Sequence, residues 1–139
     1  MASAELISLL QADFQFLLKD KDVLGAFLYG SQAEGEATPR SDFDVCVVTR
    51  RKDKPSLKAL LRHIWQQIPV STKKYDVHMF HELPLYIQGH IIEKGVLLLS
   101  RDTPELFEYL YPYRRLWEDQ KHRNELSDEE LNEILNQKK

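Results

Sequence analysis

The chain has 139 residues, of which 42% are hydrophobic and 29% are charged, and this is the length and composition of one globular domain. Its net charge of -3 argues against wholesale binding of nucleic acid, and its single cysteine, Cys46, excludes an internal disulfide framework and a Cys/His zinc pattern. No segment approaches the length of a membrane span, and no basic flank precedes the short apolar stretch at the N-terminus, so we expect a cytoplasmic protein.

The first predicted elements are a helix and a strand that ends in a turn. Apolar residues recur at spacings of three and four across residues 4–19, which predicts an amphipathic helix. The apolar run Val23–Tyr29 predicts a buried strand. It stops at Gly30 and Ser31, a dipeptide typical of a turn.

A second strand follows a stretch of small and polar residues at 32–40. Asp42 and Asp44 begin this strand, and an apolar run at 45–48 continues it. Because side chains alternate along a strand, both carboxylates project from one face, with Cα atoms about 7 Å apart. Like charges on a half-buried strand repel each other, so a divalent cation is the expected compensation. Oxygen ligands of this kind suit Mg²⁺.

Two helices and two strands complete the predicted core. Residues 55–68 carry apolar residues with helical period and begin with a proline, which predicts a helix. Residues 75–80 predict a third strand, and residues 84–95 predict a short helix bounded by a proline and a glycine. Residues 96–99 predict a fourth strand. The pattern indicates an α/β (α+β) fold with a small mixed sheet of about four strands flanked by helices.

The segment after residue 102 is rich in aromatic and charged residues and lacks strand signals. Ser127 and Glu130 have the spacing of a capping box, which predicts that a helix begins there. We therefore expect a core at residues 1–102 and a helical C-terminal extension at residues 103–139 that packs on the core and is not an independent domain.

The turn and the acidic strand together resemble the active-site signature of the DNA polymerase β-like nucleotidyltransferases. They resemble still more the minimal members of that superfamily, the MNT antitoxins that are paired with HEPN toxins. The residues that carry the resemblance are Tyr29, Gly30, Ser31, Gly35, Ser41, Asp42, Phe43, Asp44 and the apolar run at 45–48. The resemblance covers residues 20–100 and implies a polymerase β palm-like fold.

The resemblance also implies a catalytic site with three carboxylates and two Mg²⁺ ions, for which Mn²⁺ is an alternative. Asp42 and Asp44 would hold both ions, and a third carboxylate on a neighbouring strand would complete one of them. Asp76 is the candidate, because it lies in the next predicted strand after one helix. Asp53, in a charged loop, is its rival.

By the same family analogy, an acceptor hydroxyl attacks the α-phosphorus of ATP or another nucleoside triphosphate, and pyrophosphate leaves. Asp76 would help to take the proton of that hydroxyl. The residues expected to bind the nucleotide are Gly30, Ser31 and Ser41.

The sequence leaves three functions open. The first, implied by the resemblance to the MNT antitoxins, is transfer of AMP to a tyrosine of a HEPN-type toxin. Residues 103–139 are too few to form an acceptor-binding domain, which favours a macromolecular acceptor. The second is transfer to a small molecule or to an RNA end. The C-terminal segment would then form the acceptor pocket, either within one chain or between the two chains of a homodimer. The third is a non-catalytic module that neutralises a toxin by contact.

The histidines are not expected to bind zinc, because His63, His78 and His81 do not have the spacing of metal ligands. In a regular strand His78 would share the face of Asp76. A packing role for His78 is favoured over support of a metal ligand.

Overall fold

Four strands and six α-helices make up the part of the chain that the computed structural model describes, residues 3–34 and 42–137. They are, in chain order, α1 (Ala4–Phe14), β1 (Val23–Tyr29), α2 (Ser31–Glu34), β2 (Phe43–Thr49), α3 (Lys54–Gln67), α4 (Val70–Lys73), β3 (Tyr75–Met79), α5 (Leu85–Lys94), β4 (Val96–Ser100) and α6 (Thr103–Gln137). None of the helices in these ranges is both long enough and apolar enough to cross a membrane.

The four strands form one mixed sheet in the order β3-β2-β1-β4, which confirms the predicted fold class. Strand β1 lies antiparallel to both β2 and β4, whereas β2 and β3 are parallel. A parallel pair needs a crossover connection, and α3 with α4 supplies it. Strand β3 is therefore an edge strand that lies next to the acidic strand β2.

Both faces of the sheet are covered, which explains why its strands read as continuous apolar runs. Val45 and Val47 of β2 belong to a core that packs against α1 and α3. Cys46 and Val48 belong to a second core that packs against α5 and α6. Strand β2 is buried along most of its length, and only its first residues, where the acidic side chains lie, are partly accessible.

The helix predicted at residues 4–19 divides in the structure. The α-helix ends at Phe14, and a 3-10 helix continues over Gln15–Lys19. The Nη2 atom of Arg101 donates hydrogen bonds to the carbonyls of Leu18 and Asp20, at 2.6 and 2.8 Å. The tighter turn is stabilised because Arg101 satisfies carbonyls that the end of a helix leaves unpaired.

The helix predicted to begin at Ser127 begins much earlier. Helix α6 runs without interruption from Thr103, and the carboxylate of Asp102 caps it by accepting a hydrogen bond from the backbone N–H of Glu105, at 3.1 Å. The prediction of a helix was correct and its start was wrong. The helix continues through Pro112, although proline cannot donate a hydrogen bond to the preceding turn. Between Pro112 and Ser127 there is no further proline and no glycine that would end the helix before the capping-box motif.

A histidine after β3 ties α6 to the sheet. The Nε2 atom of His81 lies 2.8 Å from the carbonyl of Thr49 at the end of β2 and 2.8 Å from the hydroxyl of Tyr109 in α6. Burial, the largest cause, lowers the pKa of His81, which favours the neutral ring. These contacts, with buried Leu106 and Leu110, seat the first turns of α6 on the sheet. The division into a core at 1–102 and an extension at 103–139 stays a prediction.

Helices α5 and α6 approach closely at a glycine. A Cβ atom on Gly89 would lie 2.1 Å from ring atoms of Trp117, so this position has no room for a side chain. The Nζ atom of Lys121 lies 5.6 Å from the centre of the Trp117 ring and 2.5 Å from Oε1 of Glu93 in α5. The pairing of the two helices therefore depends on the absence of a side chain at residue 89.

We expect Gly89→Ala to lower the free energy of unfolding by about 1–3 kcal/mol, because the new methyl group overpacks the contact. In an unobstructed helix the same change would stabilise by about 1 kcal/mol. Chemical denaturation of Gly89→Ala is measured in the wild-type background and in a Trp117→Ala background, which removes the ring atoms that the new methyl group would meet. A loss of stability that persists in the Trp117→Ala background would contradict the clash.

Candidate active site

The candidate site forms where the two parallel strands begin. In the register of β2 with β3, Asp44 lies directly opposite Asp76. Residues that face each other across paired strands project their side chains from the same face, so the two carboxylates come together although the residues are far apart in sequence. Asp76 is half exposed and Asp44 is partly buried.

A histidine joins the two carboxylates. Within the described ranges, one ligand atom each of Asp44, Asp76 and His78 lies within 4.8 Å of the others. The Nε2 atom of His78 is 3.0 Å from Oδ2 of Asp76. Two carboxylates and an imidazole are a donor set that can hold a divalent cation, with Mn²⁺ and other transition metals tolerating the nitrogen better than Mg²⁺ does.

Gly30 is fitted against the carboxylate of Asp44. Its φ of +75° is a backbone conformation that favours glycine, and a Cβ atom there would lie 2.6 Å from Oδ2 of Asp44. Tyr29, the preceding residue, pairs with Asp44 across β1 and β2. The glycine therefore allows the turn before Ser31 to pass directly beside the carboxylate.

The charge at the site is crowded. Burial and then the neighbouring carboxylate of Asp76 raise the pKa of Asp44, and Asp42 adds to this effect while His78 opposes it. A raised pKa means that the ionised carboxylate is destabilised in the folded protein. A bound cation would relieve this repulsion, and the donor chemistry of the site fits one.

The predicted third acid, Asp76, thus faces the second, Asp44, and the first, Asp42, is near enough to contribute to the raised pKa of Asp44. Asp42 precedes β2 and is exposed, and among the described side chains its carboxylate is not in the group of Asp44, Asp76 and His78. Ser41 and Gly35 lie outside the described residues. The rival Asp53 caps α3 instead, where its carboxylate accepts a hydrogen bond from the backbone N–H of Ser56 at 3.1 Å.

His78 lies on the face of Asp76, as expected for a regular strand, and has a larger part in the site than the sequence analysis assigned to it. The packing role favoured for it describes only part of its position: its ring packs edge-on against Tyr29, at 6.3 Å between ring centres, and its ring nitrogen also lies beside Asp76. The available signal was the spacing of two between Asp76 and His78, which places both on one face of a strand. What the sequence lacked was the register that turns this face towards Asp44.

The comparison with protein families decides the class. The family described as "Polymerase beta, Nucleotidyltransferase" matches residues 14–104, more than half of the chain. The chain belongs to this nucleotidyltransferase family. The match contains the turn at Gly30, both strands of the site and the crossover between them.

A relative from Methanocaldococcus jannaschii supports the assignment. It is named "Putative protein adenylyltransferase" and is 38% identical over 101 residues, which cover 73% of this chain and 75% of the relative. The region of similarity therefore includes most of both proteins.

Solved structures share the fold of this nucleotidyltransferase. A chain in the solved structure described as a tri-AMPylated Shewanella oneidensis HEPN toxin in complex with an MNT antitoxin matches with a TM-score of 0.60 and 14% identity, over 90% of this chain and 98% of that one. A toxin–antitoxin structure with AMP-PNP matches with a TM-score of 0.58 and 12% identity, over 90% and 97% of the two chains. The structural neighbours are thus MNT antitoxins, and at this identity the likeness concerns the fold alone.

We expect Gly30→Ala to disturb the site more than the fold. The added methyl group would meet Oδ2 of Asp44 and force the backbone away from its positive φ. Titration with Mn²⁺ in a calorimeter should show affinity at least about tenfold weaker than wild type, because the carboxylate is displaced. Unchanged Mn²⁺ binding by a folded Gly30→Ala protein would show that Asp44 does not need this contact.

We expect Asp44→Asn to stabilise the metal-free protein. Because the pKa of Asp44 is raised in the folded state, the folded protein binds the proton more tightly than the unfolded chain, and stability falls as the pH rises through this titration. The amide removes that cost at pH 7, so the Tm without metal should rise, whereas the increase in Tm on adding Mg²⁺ should shrink. Glu108→Gln, an exposed acid on α6, is the matched control for loss of one negative charge. A lower metal-free Tm for Asp44→Asn would refute the assigned repulsion.

Proposed function

We propose that this chain transfers AMP from ATP to a hydroxyl group of a protein acceptor, as a member of a HEPN–MNT pair. The observation that carries the proposal is the meeting of Asp44 and Asp76 across β2 and β3, directly beside Gly30. Two carboxylates brought together on one face of the sheet repel each other and do not stabilise the fold, but two-metal nucleotidyl transfer requires them.

The cofactor in this proposal is a pair of Mg²⁺ ions, with Mn²⁺ as the alternative, held by Asp42, Asp44 and Asp76. Divalent ions at such a site activate the attacking hydroxyl and stabilise negative charge on phosphate oxygens. The carboxylate oxygens fit these ions, and the raised pKa of Asp44 indicates a position that a cation would stabilise. The exposed position of Asp42 leaves it accessible for a share in this binding.

The protein's own groups have distinct tasks. Gly30 lets the backbone approach the β and γ phosphates closely, and the hydroxyl of Ser31 binds them, with Ser41 as a further nucleotide contact. Asp76 accepts the proton of the acceptor hydroxyl, and His78 holds the Asp76 carboxylate in place through the contact of 3.0 Å. The acceptor oxygen forms a bond to the α-phosphorus, the bond from that phosphorus to the bridging oxygen breaks, and pyrophosphate leaves with its electron pair.

A protein acceptor is supported by the relatives rather than by a pocket in this chain. The relative from M. jannaschii is named as a protein adenylyltransferase, and a structural neighbour is described with a tri-AMPylated toxin. A HEPN-type protein is therefore the proposed acceptor, with a tyrosine as the modified residue.

The test is transfer of label from α-labelled ATP, with Mg²⁺, to a HEPN-type protein encoded beside the gene of this chain. Wild type should label the partner, and Asp44→Asn and Asp76→Asn should each reduce the rate by more than about 100-fold, since even groups that only support metal ligands contribute 10–100-fold. Glu108→Gln should retain the wild-type rate.

The other two functions give different outcomes in the same assay. Label on an RNA end or an aminoglycoside without any partner protein would favour a different acceptor. Neutralisation of the toxin by Asp44→Asn at wild-type strength, with no label transferred by wild type, would favour a non-catalytic binding module and overturn the proposal.

A further inference from the structure

An open cleft runs along the free edge of β3, next to Asp76. Its volume is about 520 Å³, and its walls are Trp65 and Ile68, the segment 69–72 that includes most of α4, and residues 75–77 of β3. Strand β3 lies at the end of the sheet order, so no described strand pairs with it on this side. The cleft therefore joins an unpaired sheet edge to the candidate active site.

The backbone groups that face this cleft belong to Tyr75 and Val77. The N–H of Phe43 donates to the carbonyl of Lys74 at 2.7 Å, and Phe43 lies opposite Tyr75 in the register. In a parallel ladder alternate residues bond to the same neighbour, so Lys74 and Asp76 face β2 while Tyr75 and Val77 face outward. Their N–H and C=O groups are available for one more strand.

We propose that this edge binds an extended segment of the protein acceptor as an added strand and presents a tyrosine of that segment opposite Asp76. The inference rests on the proposed function, whose acceptor it describes further. A residue opposite Asp76 would project from the same face of the sheet with its Cβ about 5 Å from that of Asp76. A phenol at this position is long enough to lean over Asp76 towards Asp44.

The neighbours of that tyrosine would be apolar. They would project from the opposite face, where Tyr75 and Val77 point towards the core that α3 covers. On this side Trp65 is 55% exposed, although the inner face of α3 is buried. An exposed tryptophan at the wall of a cleft is the residue type most often found as an anchor in interfaces. The acceptor motif is thus a tyrosine between two apolar residues in an extended segment.

Peptide binding tests the edge without nucleotide and independently of catalysis. The probe is a short synthetic peptide with a central tyrosine between two leucines and with lysine or threonine at the outer positions. In nitrogen-15 NMR spectra of the full chain, we expect the peptide to shift the backbone amides of Tyr75 and Val77. The matched control is the same peptide with N-methyl groups on the tyrosine and both leucines, which blocks strand pairing in either direction.

Two protein variants test the anchor. Trp65→Ala should weaken binding of the peptide, and raise the KM for a HEPN-type acceptor, by about tenfold or more, with kcat little changed. Tyr86→Ala removes an aromatic ring that is equally exposed, at 59%, but does not line the cleft, and it should bind like wild type.

The outcomes separate this inference from the proposed function. Peptide shifts at Tyr75 and Val77, together with no label on the HEPN-type partner in the transfer assay, support the docking edge and count against the transfer reaction. Label transfer to the partner with an unchanged KM in Trp65→Ala overturns the docking edge alone. Equal binding of the methylated peptide, or an absence of shifts at Tyr75 and Val77, also overturns it.

Discussion

Parallel pairing of β2 with β3 is the interaction on which the site depends, because it sets Asp44 directly opposite Asp76. Neither strand alone assembles the donor set, and a shift of register by one residue would turn one carboxylate to the opposite face of the sheet. The crossover through α3 and α4 makes the pair parallel, and the apolar residues beyond Asp44 bury β2 in both cores. The buried apolar part of β2 thus fixes the register with β3, whereas the mutually repelling carboxylates lie at the accessible end of the strand pair.

A second network fixes the point where β3 begins. The Nζ atom of Lys73 lies 2.9 and 2.8 Å from the two carboxylate oxygens of Asp13 in α1, and the hydroxyl of Tyr75 donates to the same carboxylate at 2.5 Å. Burial acts to raise the pKa of Asp13, but the hydrogen bonds from Lys73 and Tyr75 lower it overall, so the carboxylate stays ionised. Between these two residues Lys74 adopts a left-handed conformation with φ of 60°. Helix α1 therefore holds both sides of the turn that leads to Asp76.

Much of the fold could be predicted because most strands are buried on both faces and read as apolar runs such as Val23–Tyr29. The pairing of Asp44 with Asp76 was within reach, since the third acid follows the second strand after one helix. The contribution of His78 was not, because it depends on a register that no local pattern encodes. The capping-box motif at Ser127 predicted the wrong helix start because the motif lies inside α6, which already begins at Thr103. There the local pattern was present, but the longer helix determined the structure. The roles predicted for Asp42 and Ser41 stay predictions.

The position of β3 at the edge of the sheet has a consequence for how this enzyme class can diversify. The acids are anchored in a strand pair that the core holds in register, whereas the outer side of β3 and the exposed ring of Trp65 contribute little to that core. Substitutions along this border can therefore accumulate without moving the carboxylates. If the acceptor docks at this edge as proposed, the residues that carry out the reaction and those that select the acceptor lie on two sides of a single strand and can change independently.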